Sequence, residues 1–379
     1  MTMIAGYKLK VGAFLQADIL LTSPDMWMNS SPIPSFHAKD GEPGLNDRVV
    51  MGLCQKILLV NERFAVAFAG NVNDIQAVGR LIDQLIKVDP QLSGKRFIEA
   101  FLADKLLRKA EVSIIALSIE GDEISISNVD AEFGGGNDHF ELWVGGSGGK
   151  YIVEYFEQFS PDNFDVPEGD VVALGTCMAL RQFVLHLISE FEGRFESETI
   201  KMLCGGGYEV LAYYGGQFQK ISDVVYAFAD AEIDAEGILQ IDFPKFLMKS
   251  AYDEDELMIR SVEIKYDEDE DEHLACNDQT FIIAPITRYH ELAVRSNCNA
   301  IKFVGEFLCF LIKVKHQGES FIIPIVRKYR SKIFFLGEAF AATVGHYGVQ
   351  IIYMDDFREL VTAQVFEHMR ELKLQSGLT

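Results

Sequence analysis

The sequence predicts an α+β chain: an αββα sandwich, two antiparallel sheets stacked face to face between helix layers, with a second, smaller C-terminal α/β domain. Three observations predict it. Strand-like and helix-like segments follow one another as strands, two helices, strands, two helices, strands, which is not the alternation of a parallel doubly wound sheet. The composition changes after Phe243, where acidic runs begin. The length, 379 residues, suits two domains of about 100–200 residues each. The boundaries are expected at 1–245 for the sandwich, 246–280 for an acidic linker or extension, and 281–379 for a C-terminal α/β module of unknown role.

Each element follows from its pattern. Residues 4–22 alternate as two short strands around Gly12. Residues 29–47, with Pro32, Pro34, Gly41, Pro43 and Gly44, read as a loop or lid. Segments 56–60 and 64–69 are apolar runs of strand length joined by a polar turn at 61–63. Val72, Ile75, Val78, Leu81, Ile82, Leu85 and Ile86 fall on one helical face. A second helix is expected over 95–108. Strands at 112–119 and 123–128 flank a turn at 120–122, and 141–144 is a strand running into a Gly-rich turn and a helix from Lys150. A long helix covers 177–191, and strands at 208–214 and 224–229 close this part. The tail reads as strands near 300–314 and 320–326, a helix near 337–346, a strand at 349–354 and an amphipathic helix at 357–374.

Charge and cysteine usage narrow the function classes. Against 34 Lys+Arg stand 57 Asp+Glu, a net charge of -23. That argues against wholesale binding to nucleic acid or anionic lipid, whose affinity comes mainly from phosphate contacts. Apolar runs such as 307–312 and 321–326 fall far short of the roughly 20 residues that span a bilayer, so no membrane is expected. The N-terminus lacks a basic segment before an apolar one, so it is not read as a signal peptide. Six widely spaced cysteines without a CxxC pair suit reduced, buried thiols in a cytoplasmic protein. The acidic runs at 253–256 and 267–272 lack the glycine and ligand spacing of a calcium loop and read as solvated faces. Neither metal nor cofactor is expected.

The informative residue is the second. Thr2 is small enough for the initiator Met1 commonly to be removed, leaving an α-amine beside a hydroxyl: a nucleophile and its base on one residue. The hydroxyl needs positive charge nearby, and that charge needs a carboxylate to hold it. Asp18 ends the strand that lies beside the Thr2 strand, and Lys56 begins the next pair. A structural ion pair is the plain alternative for Asp18 and Lys56; Gly70 as a helix start and Ser147 as a cap or turn are the plain alternatives there.

At these residues the chain resembles the proteasome-type peptidases, the N-terminal-threonine branch of the Ntn hydrolases. Thr2-Met3-Ile4-Ala5-Gly6 resembles the family's opening, Gly12 its hairpin glycine, and Asp18-Ile19-Leu20-Leu21-Thr22 its Asp-x-x-x-Thr. Gln55-Lys56-Ile57 resembles the lysine-bearing strand, Ala69-Gly70-Asn71-Val72-Asn73-Asp74 the Ala-Gly-x-x-x-Asp segment, and Gly146-Ser147-Gly148 the later Gly-Ser-Gly. The resemblance fades by about residue 235 and does not cover the last hundred or more. It implies a four-layer αββα Ntn-hydrolase sandwich and a threonine-type peptidase or amide hydrolase. Thr2 would be the nucleophile, Lys56 would lower its effective pKa, and Asp18 would orient Lys56. The Gly70 N–H would hold the oxyanion and Ser147 would sit beside the Thr2 amine. Thr22 would pair with a peptide substrate, and Leu58, Phe68 and Val72 would line an apolar pocket. A peptide or protein substrate and a homo-oligomer follow from the same resemblance. Two departures stand out. The segment between Thr22 and Lys56 is longer than the family's and contains Lys39, a weaker candidate for the catalytic lysine. Lys201 and Cys204 occupy positions where the family has an acid and a serine. The alternative is a catalytically inactive proteasome-like scaffold or binding protein.

Residues 281–379 carry 12 Lys+Arg and 9 Asp+Glu, a net of +3, leaving -26 on the rest. Arg327, Lys328, Arg330 and Lys332 form a basic cluster. It reads as a site for an acidic partner or, more plainly, as a charged turn.

Overall fold

The computed structural model describes residues 2–24, 30–36, 48–121, 123–138, 140–158, 170–269, 271–289, 292–297, 299–345 and 348–376, with side chains as far as Glu371. The chain divides into two compact units, each discontinuous in sequence. The first holds residues 1–221, 252–257 and 282–293; the second holds 222–251, 258–281 and 294–379.

The first unit opens with β1 (Ile4–Leu9), β2 (Ala13–Asp18), β3 (Leu20–Ser23), β4 (Val49–Leu53), β5 (Ile57–Asn61) and β6 (Phe64–Gly70). Helices α1 (Val72–Val88) and α2 (Gly94–Ala103) follow, then β7 (Val112–Glu120), β8 (Glu123–Val129), β9 (Glu132–Gly136) and β10 (Phe140–Gly145). Helices α3 (Gly149–Gln158), α4 (Val171–Gly193) and α5 (Glu198–Lys201) precede β11 (Tyr208–Tyr214) and β12 (Gln217–Lys220). A six-stranded sheet has the order β12-β11-β2-β1-β10-β9, a four-stranded sheet the order β5-β6-β7-β8, and β3 and β4 form a ribbon.

The period-2 pattern of β6 assigns its two faces. Phe64, Val66 and Phe68 pack with Ile75, Val78 and Ile82 of α1 and Phe97 and Phe101 of α2. The intervening Ala65, Ala67 and Ala69 pack with Ile4, Ala13, Leu15 and Ala17 of the other sheet. Small residues on that face let the sheets approach: a methyl on Gly6 would stand 2.5 Å from the Ile115 side chain. Helix α1 starts at an Asn71 cap, whose side chain accepts the Asn73 N–H at 2.9 Å. Helix α4 is predominantly apolar and largely buried, with Phe183 stacked on Tyr208 at 4.3 Å. Contrary to the expectation of no such segment, residues 171–196 are long and apolar enough to cross a membrane, yet 61% of their most apolar 18-residue window is buried inside the chain.

The second unit takes β13 (Val224–Ile233), β14 (Leu239–Asp253), β15 (Glu256–Asp267), β16 (Glu272–Ile283), β17 (Ala293–Ser296), β18 (Ile301–Phe303), β19 (Phe307–His316) and β20 (Glu319–Lys328). Helix α6 (Lys332–Glu338), β21 (Phe340–Gly345), β22 (Gly348–Tyr353) and α7 (Asp355–Ser376) complete it. Its main sheet has the order β17-β16-β15-β14-β13-β19-β20, with β13 and β19 parallel, and β18-β21-β22 form a second sheet. Phe310, Phe335, Phe340, Tyr353 and Phe357 are the aromatic centre of its core.

The structure corrects four sequence expectations. Residues 246–280 are not a linker: they lie within β14, β15 and β16, and the expected boundaries at 245 and 280 fall inside β14 and β16. The acidic runs sit at the two hairpin turns, where Glu254 and Asp271 take φ of 53°, and the strand-like segment at 258–265 between them is the middle of β15. The strand at 224–229 is the start of β13 and belongs to the second unit, not the first. Residues 337–346 are mostly strand β21, because Phe340, Ala342 and Val344 bury one face with period 2. Strands β9 and β12, a Gly-rich and a short polar segment, were not anticipated. Of the 29–47 loop, residues 30–36 are described and pack inward, with Phe36 edge-on to Phe195 at 5.1 Å. Lys39 lies outside the described residues.

Two outcomes test this packing. Phe310→Ala should destabilise the second unit by about 3–5 kcal/mol, measured by denaturant unfolding. In α4, burial pushes the His186 imidazole down from 6.5 to about 4, and its Nε2 is buried. A depressed histidine favours the neutral form, so its contribution is full above pH 6.5 and is lost as pH falls toward 4. The thermal midpoint should therefore fall across that window, and fall less in His186→Phe.

Candidate active site

Strand β1 enters the six-stranded sheet between β2 and β10, and this places Thr2 at the mouth of three segments. Thr2 itself is buried. Its carbonyl accepts the Gly148 N–H at 3.0 Å. Gly146, with φ +77°, lies against it: a methyl there would be 2.0 Å from the Thr2 oxygen and 3.3 Å from the Ala69 Cβ. The turn after β10 thus fits between Thr2 and the end of β6, and only glycine fits at 146.

Asp18 and Lys56 form the buried charged pair. Lys56 Nζ donates to Asp18 Oδ1 and to the Leu20 carbonyl, both at 2.8 Å. The side chains are 1% and 0% exposed. Asp18 Oδ1 also accepts the Met3 N–H at 2.7 Å, and Oδ2 accepts those of Leu20 at 3.1 Å and Gly205 at 3.0 Å. The residue following Thr2 is therefore fastened to the carboxylate that holds the lysine.

Gly70 ends β6 with φ +130°, and a methyl there would lie 2.1 Å from the Glu111 carbonyl. A side chain is excluded, which leaves the main chain exposed at the edge of the Thr2 neighbourhood. Ser147 is half-buried and donates to the Met202 carbonyl at 2.9 Å. Lys201 turns outward to Glu196 at 2.6 Å and is half-exposed. Cys204 is buried and donates to the Thr199 carbonyl at 3.4 Å; burial pushes its thiol well up.

The pocket assignments divide. Thr22 pairs with Val50 in the β3–β4 ribbon. Val72 is half-buried at the start of α1. Phe68 is fully buried among the α1 and α2 side chains, so it supports the site from beneath and does not line an opening. Leu58 lines a cavity of about 380 Å³ with Leu59, Lys220, Tyr252 and Arg288.

Two residues escaped the sequence reading. Glu190, on the apolar helix α4, accepts Thr199 Oγ1 at 2.8 Å, Tyr208 Oη at 2.7 Å and the Gly206 N–H at 2.9 Å. It fixes the loop whose Gly205 N–H reaches Asp18, and burial pushes its carboxyl up despite those bonds. Glu209, second in β11, accepts the main-chain N–H of Lys56 and that of Ile57 at 2.9 Å. A lone acid inside an apolar helix or strand was the available signal. The basic cluster of the second unit, by contrast, already meets acids of this chain: Arg327 pairs with Glu338 at 3.1 Å and Lys332 with Asp223 at 2.8 Å. Lys328 and Arg330 stand over the rings of Phe307 and Phe334.

No family model matches the sequence, and no curated protein matches it. Among solved structures it is similar to eukaryotic HslV from Trypanosoma brucei, at 15% identity and a TM-score of 0.32, covering 56% of this chain and 98% of that one.

Removing one partner of a buried pair strands the other charge. Asp18→Ala and Lys56→Met should each cost about 3–5 kcal/mol. The double variant should cost clearly less than their sum, read from denaturant unfolding of all four proteins.

Proposed function

We propose that the chain is a threonine-type peptidase or amide hydrolase, with its first unit a four-layer αββα Ntn-hydrolase sandwich. Thr2, exposed as the N-terminus by removal of Met1, is the nucleophile. The observation that carries this reading is the buried Asp18–Lys56 pair, fastened to Met3, the residue next to Thr2.

In this reading Thr2 Oγ attacks the scissile carbonyl and its proton passes to the Thr2 α-amine through a water. The Lys56 ammonium lowers the cost of the alkoxide, and Asp18 keeps Lys56 in place. The Gly70 N–H meets the oxyanion, a role worth roughly 3–4 kcal/mol. Collapse of the tetrahedral intermediate expels the amine, which takes up the proton. Water then cleaves the Thr2 ester and restores the hydroxyl. A peptide would lie along β3 at Thr22, whose ribbon partner occupies one edge. Val72 and Leu58 support an apolar preference. Assembly as a homo-oligomer and a cytoplasmic setting belong to the same proposal.

A second reading is favoured by one observation: Lys201 faces outward and Cys204 is committed to the Thr199 carbonyl, so no acid stands in the family's place. That is the inactive scaffold. The two separate on one experiment. Intact mass should show Met1 absent, and an epoxyketone or boronate probe should modify Thr2 but not the Thr2→Ala variant, which should lose peptide hydrolysis. Retained Met1, or no adduct in the assembled protein, selects the scaffold.

A further inference from the structure

We propose that Glu209 is a positioning residue for Lys56, setting the main-chain bend that aims the lysine at Asp18. The inference rests on the hydrolase reading above and deepens it.

Successive N–H groups in a regular strand point to opposite sides. Those of Lys56 and Ile57 instead converge on one oxygen, Glu209 Oε1. The backbone at Lys56 is therefore bent where β5 begins, and Glu209 supplies the acceptor that the bend requires. Among the described residues no ladder partner does so: β5 is the outer strand of its sheet, and residues 284–286 pair only with Gln55. The Lys56 carbonyl is fixed separately by the Phe68 N–H at 3.0 Å.

Glu209 comes from the same strand pair that delivers Asp18. In the β2–β11 register, Tyr208 lies opposite Asp18 and Glu209 opposite Ala17. One register thus grips Lys56 at both ends: Asp18 takes the ammonium and Glu209 the main-chain N–H. Ala17 is small and faces the inter-sheet core, which leaves room for the carboxylate. A one-residue slip of β11 against β2 would turn Glu209 to the other face, away from the Lys56 main chain.

Glu209 is itself held. Its second oxygen accepts Tyr252 Oη at 3.1 Å and lies 3.8 Å from Lys220 Nζ. Lys220 also donates to the Gln55 side chain, and Gln55 Nε2 donates to the carbonyls of Asp255 at 2.7 Å and Ile283 at 2.6 Å. All these residues belong to the first unit. A carboxylate serving only to satisfy two N–H groups would stabilise the fold without influencing the lysine. The test must therefore read Lys56 itself.

The experiment uses full-length protein with 13C at lysine Cε, the Lys56 resonance being assigned by its absence in Lys56→Arg. Glu209→Ala should shift that resonance and its titration, and should slow saturating epoxyketone modification of Thr2 by about tenfold or more at unchanged half-saturation. Glu209→Gln, whose amide oxygen can replace Oε1, should restore both. Should Glu209→Ala fail to fold, Glu209→Asp decides: its carboxylate falls one methylene short, so the Lys56 signal and the rate should be disturbed although the charge is kept. A wild-type Lys56 signal in a folded Ala or Asp variant overturns the proposal, as does a Gln variant as defective as Ala. Absence of any Thr2 adduct in the wild-type protein sinks the hydrolase reading instead, and the resonance still decides the role of Glu209.

Discussion

The contact between Asp18 and Lys56 is the constraint around which the first unit is organised. Taking a carboxylate and an ammonium out of water costs several kcal/mol per ion, and a pair left with unmet hydrogen bonds would not return it. Here the deficits are closed. Asp18 receives N–H groups from Met3, Leu20 and Gly205 as well as the ammonium, and Lys56 has the Leu20 carbonyl as a second acceptor. These donors come from β1, the start of β3 and the loop before β11. One ion pair therefore fixes the mutual position of three segments far apart in the chain, and Thr2 is placed as a by-product.

Glycine makes this arrangement possible where backbone must replace side chain. At Gly205, φ is +113° and a methyl would fall 2.2 Å from Glu190 Oε1. The loop can present one N–H to Asp18 and the next to Glu190 only because it has no side chain to place. Two buried carboxylates, one on each side of the loop, are kept apart by the main chain they share. This explains how a site of so many charges fits under complete burial.

Much of the site was legible because its members lie in short local patterns. Thr2, Asp18 and Lys56 each lie at or just before a strand end, and Gly70 and Ser147 sit at turns that the sequence marks. Glu190 and Glu209 were not legible, since their meaning lies in what faces them across the sheet or helix. Phe68 was misjudged for a reason the sequence does contain: it shares a face with Phe64 and Val66, while the alanines between them face the other sheet. The α+β class and most elements of the first unit followed from periodicity. The second unit was less readable because blocks of Asp and Glu at two hairpin turns made β14 and β16, on either side of the strand-like 258–265, read as a linker. The partners of the basic cluster at 327–332 were not legible because Asp223, one of them, lies a hundred residues earlier.

The interleaving of the two units in sequence has a consequence for biosynthesis. Residues 252–257 and 282–293 complete the first unit, yet they are made after β13 and most of β14, which belong to the second. Strand β13 must in turn wait for β19, its parallel neighbour, more than seventy residues later. On the ribosome, neither unit can finish before the other has begun. Gln55 and Glu209, beside the lysine, stay without their partners from 252–293 until that stretch emerges. The order of synthesis thus delays assembly around Lys56 until much of the chain exists, a timing that no contact within the finished molecule reveals.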